Sequence, residues 1–300
     1  MELVSVVMLS YNRKHDAAEG IRLLLAQDYK NLEIIVVDNG STDGTIETLS
    51  EIFSQEQIKL IALPRNIGVA AYNIGFEKAA GQYIVVLDDD SFPGKNAIPR
   101  MVEAFQKNDK LGVVAFNIKN HATLSNLSDQ SDQSNSSELS DLSDTTGGYS
   151  MAFNGCGAGI RKSLIDRVGG YPGEFFLYWN EQDLAIRILA AGYQIRSFND
   201  IIAYHKYSPA NRESSRAPFY YTRNLYWLTW KYFPMLKLIK DTLQLIYCSF
   251  YYTLEQKTLV YLKATLSALL NIKKIKRKPV AKEIINKLRL TYKLAFIYYK

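Results

Sequence analysis

The sequence predicts an α/β fold, an open and mostly parallel sheet with helices on both faces, followed by a helical C-terminal extension. Three observations predict it. Short apolar runs rich in Val and Ile recur from the N-terminus onward, helical patterns of crossover length separate them, and the last seventy residues read as aromatic, basic helices.

The apolar runs are Leu3–Leu9, Leu32–Val37, Ile58–Leu63 and Tyr83–Leu87. A run that is apolar at nearly every position suits a strand covered on both faces. Between them, Asp16–Gln27, Thr45–Gln55 and Val69–Ala80 carry helical periodicity. The alternation is βαβαβα, and in such sheets ligands bind beyond the carboxyl ends of the strands. From Leu124 to Asp144 the composition falls to Ser, Asp, Asn and Gln with a spaced Leu. Such a stretch buries too little apolar surface to order itself, so 124–146 is expected to be a flexible insert. Helices are expected near Ser163–Val168 and over Glu181–Ala191, the latter closed by Gly192. Beyond Pro218 the chain reads as helices broken at Pro234 and Pro279. The expected units are therefore 1–230, an α/β domain, and 231–300, the extension.

A hydrophobic fraction of 47% and a charged fraction of 22% belong to a globular chain with a sizeable core, not to a disordered one. The two cysteines, Cys156 and Cys248, are far apart and lack partners at metal-ligand spacing, so neither a disulfide framework nor a zinc site is suggested. Met1-Glu2-Leu3-Val4 leads straight into a strand pattern without a signal peptide, so a reducing, cytoplasmic location is expected. Lysines punctuate the extension, which leaves no span of about 18 apolar residues. The net charge of +6 is uneven, with the acidic motifs in the first two thirds and Lys and Arg crowded at the end. Lys273, Lys274, Lys276, Arg277 and Lys278 form a basic cluster. Further on, Lys282, Lys287, Arg289 and Lys293 alternate with Ile284, Ile285, Leu288, Leu290, Leu294 and Ile297. This pattern suits an anionic membrane surface better than nucleic acid, and equally suits a solvated helix packed on the domain.

Four segments fall where the sheet places ligands. Ser10-Tyr11-Asn12-Arg13 follows the first run. Asp38, ending the second, is costly in a buried strand unless partnered, and either accepts from a ligand or caps the next turn with Ser41. Asp88-Asp89-Asp90 follows the fourth run, and three adjacent carboxylates call for a counter-charge such as Mg²⁺ or Mn²⁺. Glu181 and Asp183 open a helix after the aromatic run Phe175–Trp179. They are either dipole complements or a general base whose proton affinity an apolar pocket raises. His205, after Ile201-Ile202-Ala203, is a third metal ligand or a satisfied core histidine.

Taken jointly, the run Val4–Arg13, the Asp38–Thr45 turn, Arg65-Asn66-Ile67-Gly68 with Asn73 and Gly75, and the aspartate triplet resemble family 2 glycosyltransferases over about residues 3–230. The resemblance implies a GT-A, Rossmann-like fold and inverting, metal-dependent transfer from a nucleotide-diphosphate sugar, thymidine or uridine type, to a hydroxyl of a glycan or lipid-linked acceptor. It implies donor contacts from Ser10, Tyr11, Asn12, Arg13, Asp38, Asn66, Asn73, Asp88 and Asp89. The metal would be held by Asp90 with Asp88 and His205. Gly155, Gly157 and Ala158 resemble the loop lining donor and acceptor. Phe176–Asp183 resembles the family's acidic motif with Asn180 in place of its first acid, which leaves the base between Glu181 and Asp183, Glu181 being favoured by alignment. Tyr221, Arg223 and Asn224 resemble the start of the C-terminal helices of rhamnosyltransferase-like members. Lipid-linked acceptors in the family would suit attachment at the inner face of the cell membrane. A nucleotidyltransferase would need a Gly-rich loop after the first run, and none occurs before Gly20. A non-catalytic scaffold on a degenerate transferase fold would not need the intact triplet and His205.

Overall fold

The computed structural model describes residues 1–120, 148–150, 152–206, 215–287 and 295–296; the insert expected at 124–146 lies outside them. Val4–Ser10 (β1) is buried along nearly its whole length and forms parallel ladders with Leu32–Asp38 (β2) and Tyr83–Asp88 (β4). Lys59–Ala62 (β3) continues the parallel part beyond β2. Successive side chains point to opposite faces, so β1 feeds two cores. Val4, Val6 and Met8 pack with Lys14–Leu25 (α1) and Ala97–Lys107 (α4). Val7 packs with Ala70–Lys78 (α3), Lys162–Val168 (α5) and Asn180–Ala190 (α6). Thr45–Ile52 (α2) covers the β2–β3 edge.

The sheet is parallel from β3 through β4 and mixed beyond β4, with helices on both faces as expected. Ala158–Arg161 (β8) runs antiparallel to both β4 and Leu111–Asn120 (β6). Gln194–His205 (β9) is parallel to β6 and antiparallel to Ser91–Pro93 (β5) and Gly148–Ser150 (β7). The order is β3-β2-β1-β4-β8-β6-β9-β5, with β7 also on β9. β5, β7 and β8 are three or four residues long. Those three are too short to show a period, whereas β6 and β9, at 10 and 12 residues, are long strands that the apolar-run reading left out. The pairing Ser91↔His205 brings the end of β9 beside the aspartate triplet.

A third core forms where Phe175, Trp179 and Ile186 meet the extension: Arg216–Tyr232 (α7), Met235–Glu255 (α8) and Val260–Leu270 (α9). The expected boundary at 230/231 falls inside the last turn of α7. Of the basic and apolar tail, residues 288–294 and 297–300 lie outside the described residues. Ile275, Ile285 and Phe296 are buried in this third core, and Arg277 donates to the carbonyls of Trp230 and Phe233. Past Lys274 the described residues include one short α-helix, Lys282–Lys287 (α10). Among the described residues of this segment, Ile275, Ile285, Ala295 and Phe296 pack on the protein itself.

Candidate active site

The carboxyl ends of β1, β2 and β4 open onto one edge, and the residues after them converge there. Asp38 is buried. Its Oδ2 accepts from the Ser41 amide at 2.9 Å, while Oδ1 has no hydrogen-bond partner among the described residues. A buried carboxylate oxygen left so costs about 1–3 kcal/mol or more, so it marks a place for a donor from outside the chain. Asn66 sits beside it, bonded to Asn39 Nδ2 at 3.1 Å and to the Gly68 amide at 2.8 Å. Asn12, with φ of 53°, ties the first loop to the second through the Ser41 hydroxyl and the Thr42 amide.

The triplet splits three ways. Asp88 accepts from the Tyr72 hydroxyl at 2.7 Å, and burial raises it above the usual carboxylate range. Asp89 is buried and accepts from the Tyr11 amide at 3.1 Å and from Arg13 at 3.3 Å. Burial outweighs those contacts and pushes it up to about 8. Burial would also raise Asp90, but His205 at 2.9 Å and the Arg13 guanidinium hold it below the usual range. Arg13 therefore supplies part of the counter-charge that the triplet calls for. This places Arg13 on Asp89 and Asp90, and makes Asp89 an organiser of the first loop.

The geometry brings Asp88, His205 and Cys156 together, their ligand atoms all within 4.8 Å of one another. Two ligands at about 2.1 Å from one ion lie at most about 4.2 Å apart, so side-chain movement of a few tenths of an ångström would bring any pair near the limit onto a single ion. The carboxylate oxygen of Asp88 suits Mg²⁺ or Mn²⁺, the His205 imidazole suits a transition metal better than Mg²⁺, and burial keeps the Cys156 thiol protonated. Asp90 joins through His205, because a neutral imidazole donating Nε2–H to Asp90 carries its lone pair on Nδ1. Cys156 was the residue missed, since its neighbours are 49 and 68 positions away in sequence.

Glu181 and Asp183 have different surroundings. Glu181 is half-buried in the first turn of α6, and burial together with the charge of Asp88 pushes it up to about 7. Gly155 lies against it; a Cβ there would stand 2.5 Å from Glu181 Oε1, so only glycine leaves that carboxylate its place. Asp183 is 0% exposed. Its Oδ1 accepts from Arg187 at 2.9 Å, and its Oδ2 accepts from Lys231 Nζ at 2.7 Å and the Tyr232 hydroxyl at 2.9 Å. Such a carboxylate is a lock between α6 and α7.

The segment that presents Glu181 is strained. Phe176, Tyr178 and Trp179 all have φ between 62° and 64°, the left-handed region. Each such residue costs about 1–2 kcal/mol, so the segment persists only if its surroundings hold it. Asn224 of α7 lies within 3.1 Å of the carbonyls of Phe175, Leu177 and Tyr178 through Nδ2, and Trp179 Nε1 donates to the Tyr221 carbonyl. From the opposite side the Val69 amide donates to the Phe176 carbonyl at 2.8 Å.

Several expected ligand contacts are instead structural. Asn73 spends both ends of its amide on the backbone of Tyr171. Ala158 is fully buried in β8, and Gly157 is packed against Ile118 and Ala203, so neither lines the opening. Ser10 differs from these: it is fully buried at the end of β1, opposite Asp38, and its hydroxyl, like Asp38 Oδ1, has no hydrogen-bond partner among the described residues.

A mixed sheet with helices on both faces, an acidic cluster after β4 and a carboxylate on α6 fit the GT-A class of fold. The chain belongs to glycosyl transferase family 2, whose sequence profile matches residues 5–169. It is 27% identical over 207 residues to a poly-β-1,6-N-acetyl-D-glucosamine synthase of Staphylococcus epidermidis, covering 68% of this chain and 48% of that one. The chain spans about half the length of the curated relatives it matches. Among solved structures it resembles the mannosyltransferase PcManGT from Pyrobaculum calidifontis in complex with GDP-Man and Mn²⁺, with a TM-score of 0.59 at 18% identity, over 96% of this chain and 78% of that one. It also resembles S. aureus TarS 1-349 in complex with UDP-GlcNAc, with a TM-score of 0.58 at 16% identity, over 95% and 83%. At these identities the likeness carries the fold.

Proposed function

We propose that this chain transfers a sugar from a nucleoside diphosphate donor to a hydroxyl of a glycan or lipid-linked acceptor, with inversion, and that Glu181 is the general base. The observation that carries the reading is Glu181 itself, a half-buried carboxyl pushed up to about 7 at the edge of the acidic cluster. A base must be ionised near neutral pH yet still hold a proton well, and this value meets both needs.

The residues divide the work. Asp38 Oδ1 accepts from the base or ribose of the nucleotide, which satisfies its open acceptor position. A Mg²⁺ or Mn²⁺ held by Asp88 and His205, with Asp90 orienting the imidazole, would supply positive charge against the departing diphosphate. Glu181 takes the acceptor proton as the hydroxyl attacks the anomeric carbon from the face opposite the leaving group. With one base and no second carboxylate assigned as nucleophile, a single displacement follows, hence inversion. Tyr72 keeps its proton, because burial raises it, and goes on donating to Asp88. The neighbours solved with GDP-Man and UDP-GlcNAc support a nucleotide-sugar donor and leave the base open.

The test is a thermal-shift panel of nucleotide sugars with and without Mn²⁺. The right donor at about a hundred times its Kd should add roughly 2.7 kcal/mol of stability. Asp88→Asn should remove the metal-dependent part. A panel without any metal-dependent shift, together with no transfer of labelled sugar, would sink the reading.

A further inference from the structure

The helix α8 is turned inside out for a helix bathed in water. Leu236, Ile239, Leu243, Tyr247, Phe250 and Leu254, spaced three or four residues apart, form one stripe, and every one of them is exposed, Leu236 at 87% and Leu254 at 78%. The opposite face, buried against α7 and α9, carries Asp241, Ser249 and Thr253 beside Leu238 and Leu245. Asp241 is paired there with Lys237 at 2.8 Å, and Ser249 with the Leu245 carbonyl and Thr265. A helix in water puts such residues outward and its leucines inward. The stripe runs about 27 Å at the helical rise, and exposed Leu266, Leu269 and Leu270 of α9 widen it. An apolar patch of this extent marks an interaction surface.

Charge selects the partner. Residues 231–300 hold fifteen Lys or Arg and three Asp or Glu, which leaves the first 230 residues net negative although the whole chain is +6. Lys240 lies within a turn of Leu236 and Leu243, and Lys257, Lys273 and Lys274 are exposed near the ends of the stripe. Two copies facing each other through this unit would set like charges together. Nucleic acid would answer the lysines and leave the leucines in water.

We propose that the exposed face of α8 and α9 lies on an anionic lipid bilayer, the stripe dipping into the interface and the lysines meeting the headgroups. Apolar burial and lysine attraction then add, with Tyr247, Phe250 and Tyr251 at the level where aromatic rings settle. Among the described residues no helix is long and apolar enough to cross a membrane, which agrees with a helix lying in the plane. The net-negative domain faces away from the lipid. Leu259, exposed at the start of α9, also lines a cavity of about 560 Å³ with Tyr11, Asn66, Phe176, Arg216 and Lys263. The candidate donor side thus opens at the edge of this same face.

Co-sedimentation of the full chain with vesicles tests the proposal, using phosphatidylcholine alone or mixed with phosphatidylglycerol. The chain should bind the anionic vesicles, weakening as salt rises, and bind phosphatidylcholine far less. Leu243→Glu with Phe250→Glu should lower the partition at least about tenfold, and Lys273→Glu with Lys274→Glu should lower it and flatten the salt dependence. No binding by the unsubstituted chain, or equal binding by the Leu243/Phe250 variant, overturns the proposal. So does a dimer in sedimentation velocity that this variant abolishes without any vesicle binding, which makes the face a contact between copies. Binding to a DNA duplex in place of vesicles overturns it as well. The vesicle readout needs neither donor nor acceptor, so its failure is distinct from failure of the transferase reading.

Discussion

Replacing Glu181 by Gln and Asp183 by Asn, two carboxylates one turn-fraction apart, should move stability in opposite directions at about pH 8. Glu181 is raised from 4.5 to about 7 in the folded protein. The folded state therefore holds that proton to higher pH than the unfolded chain does. The stability this represents is fully present below about 4.5 and is lost as pH rises through about 7. The gap corresponds to roughly 3 kcal/mol, borne by the ionised form at pH 8. Gln keeps the shape without the charge, so Glu181→Gln should gain up to that amount while transfer falls steeply and donor affinity stays. Asp183→Asn instead leaves Lys231 and Arg187 facing a neutral amide in a fully buried place. Breaking a buried pair in this way costs about 3–5 kcal/mol. At about 2–4 °C per kcal/mol, Tm should drop by roughly 6–20 °C. Thermal unfolding at pH 6 and pH 8, beside a transfer assay with labelled donor, reads both effects. If Asp183→Asn keeps its Tm and loses turnover while Glu181→Gln keeps turnover, the base is Asp183 and the reasoning fails.

Gly155→Ala should cut kcat at least about tenfold with Tm nearly unchanged, because its Cβ would enter the space of Glu181 Oε1; unchanged kcat would mean that the carboxylate has room to move. Asn224→Ala removes the amide that holds three carbonyls of the strained segment. It should lower kcat more than it raises KM, and the alkaline shift of Glu181 in the pH–rate profile should shrink as the pocket loosens; a plain loss of Tm with an unchanged profile would reduce Asn224 to a packing role.

The parallel half of the fold was open to reading because buried strands write themselves as apolar runs, and Asp38 and Asp88 stand where those runs stop. In the other half, β5, β7 and β8 are shorter than any detectable period, and β9 mixes buried with exposed positions irregularly along its 12 residues, so it does not read as an apolar run. The environment that separates Glu181 from Asp183 was equally out of reach. Lys231 and Tyr232, which lock Asp183, are 48 and 49 residues downstream, and nothing local announces them. Positive φ at Phe176, Tyr178 and Trp179 is hidden because none is a glycine; the aromatic run reads as core, and Trp179 is indeed buried. Amphipathicity in the extension was visible, but which face turns outward is a tertiary fact. The lysine-rich tail drew attention while the outward stripe lay on α8.

The lock on Asp183 also sets an order of events when the chain is made. By the time His205 has been added, every strand of the sheet and every carboxylate of the candidate site exists, and Arg187 alone stands against Asp183. Lys231 and Tyr232 arrive some two dozen residues later, together with Asn224 and Tyr221, which grip the strained approach to Glu181. Synthesis proceeds from the N-terminus, so a nascent α/β domain can be assembled and still have its acidic helix unfastened. Completion of α7 is what turns a folded sheet into an aligned site, and competence comes last, with the same helical unit that bears the lipid-facing stripe.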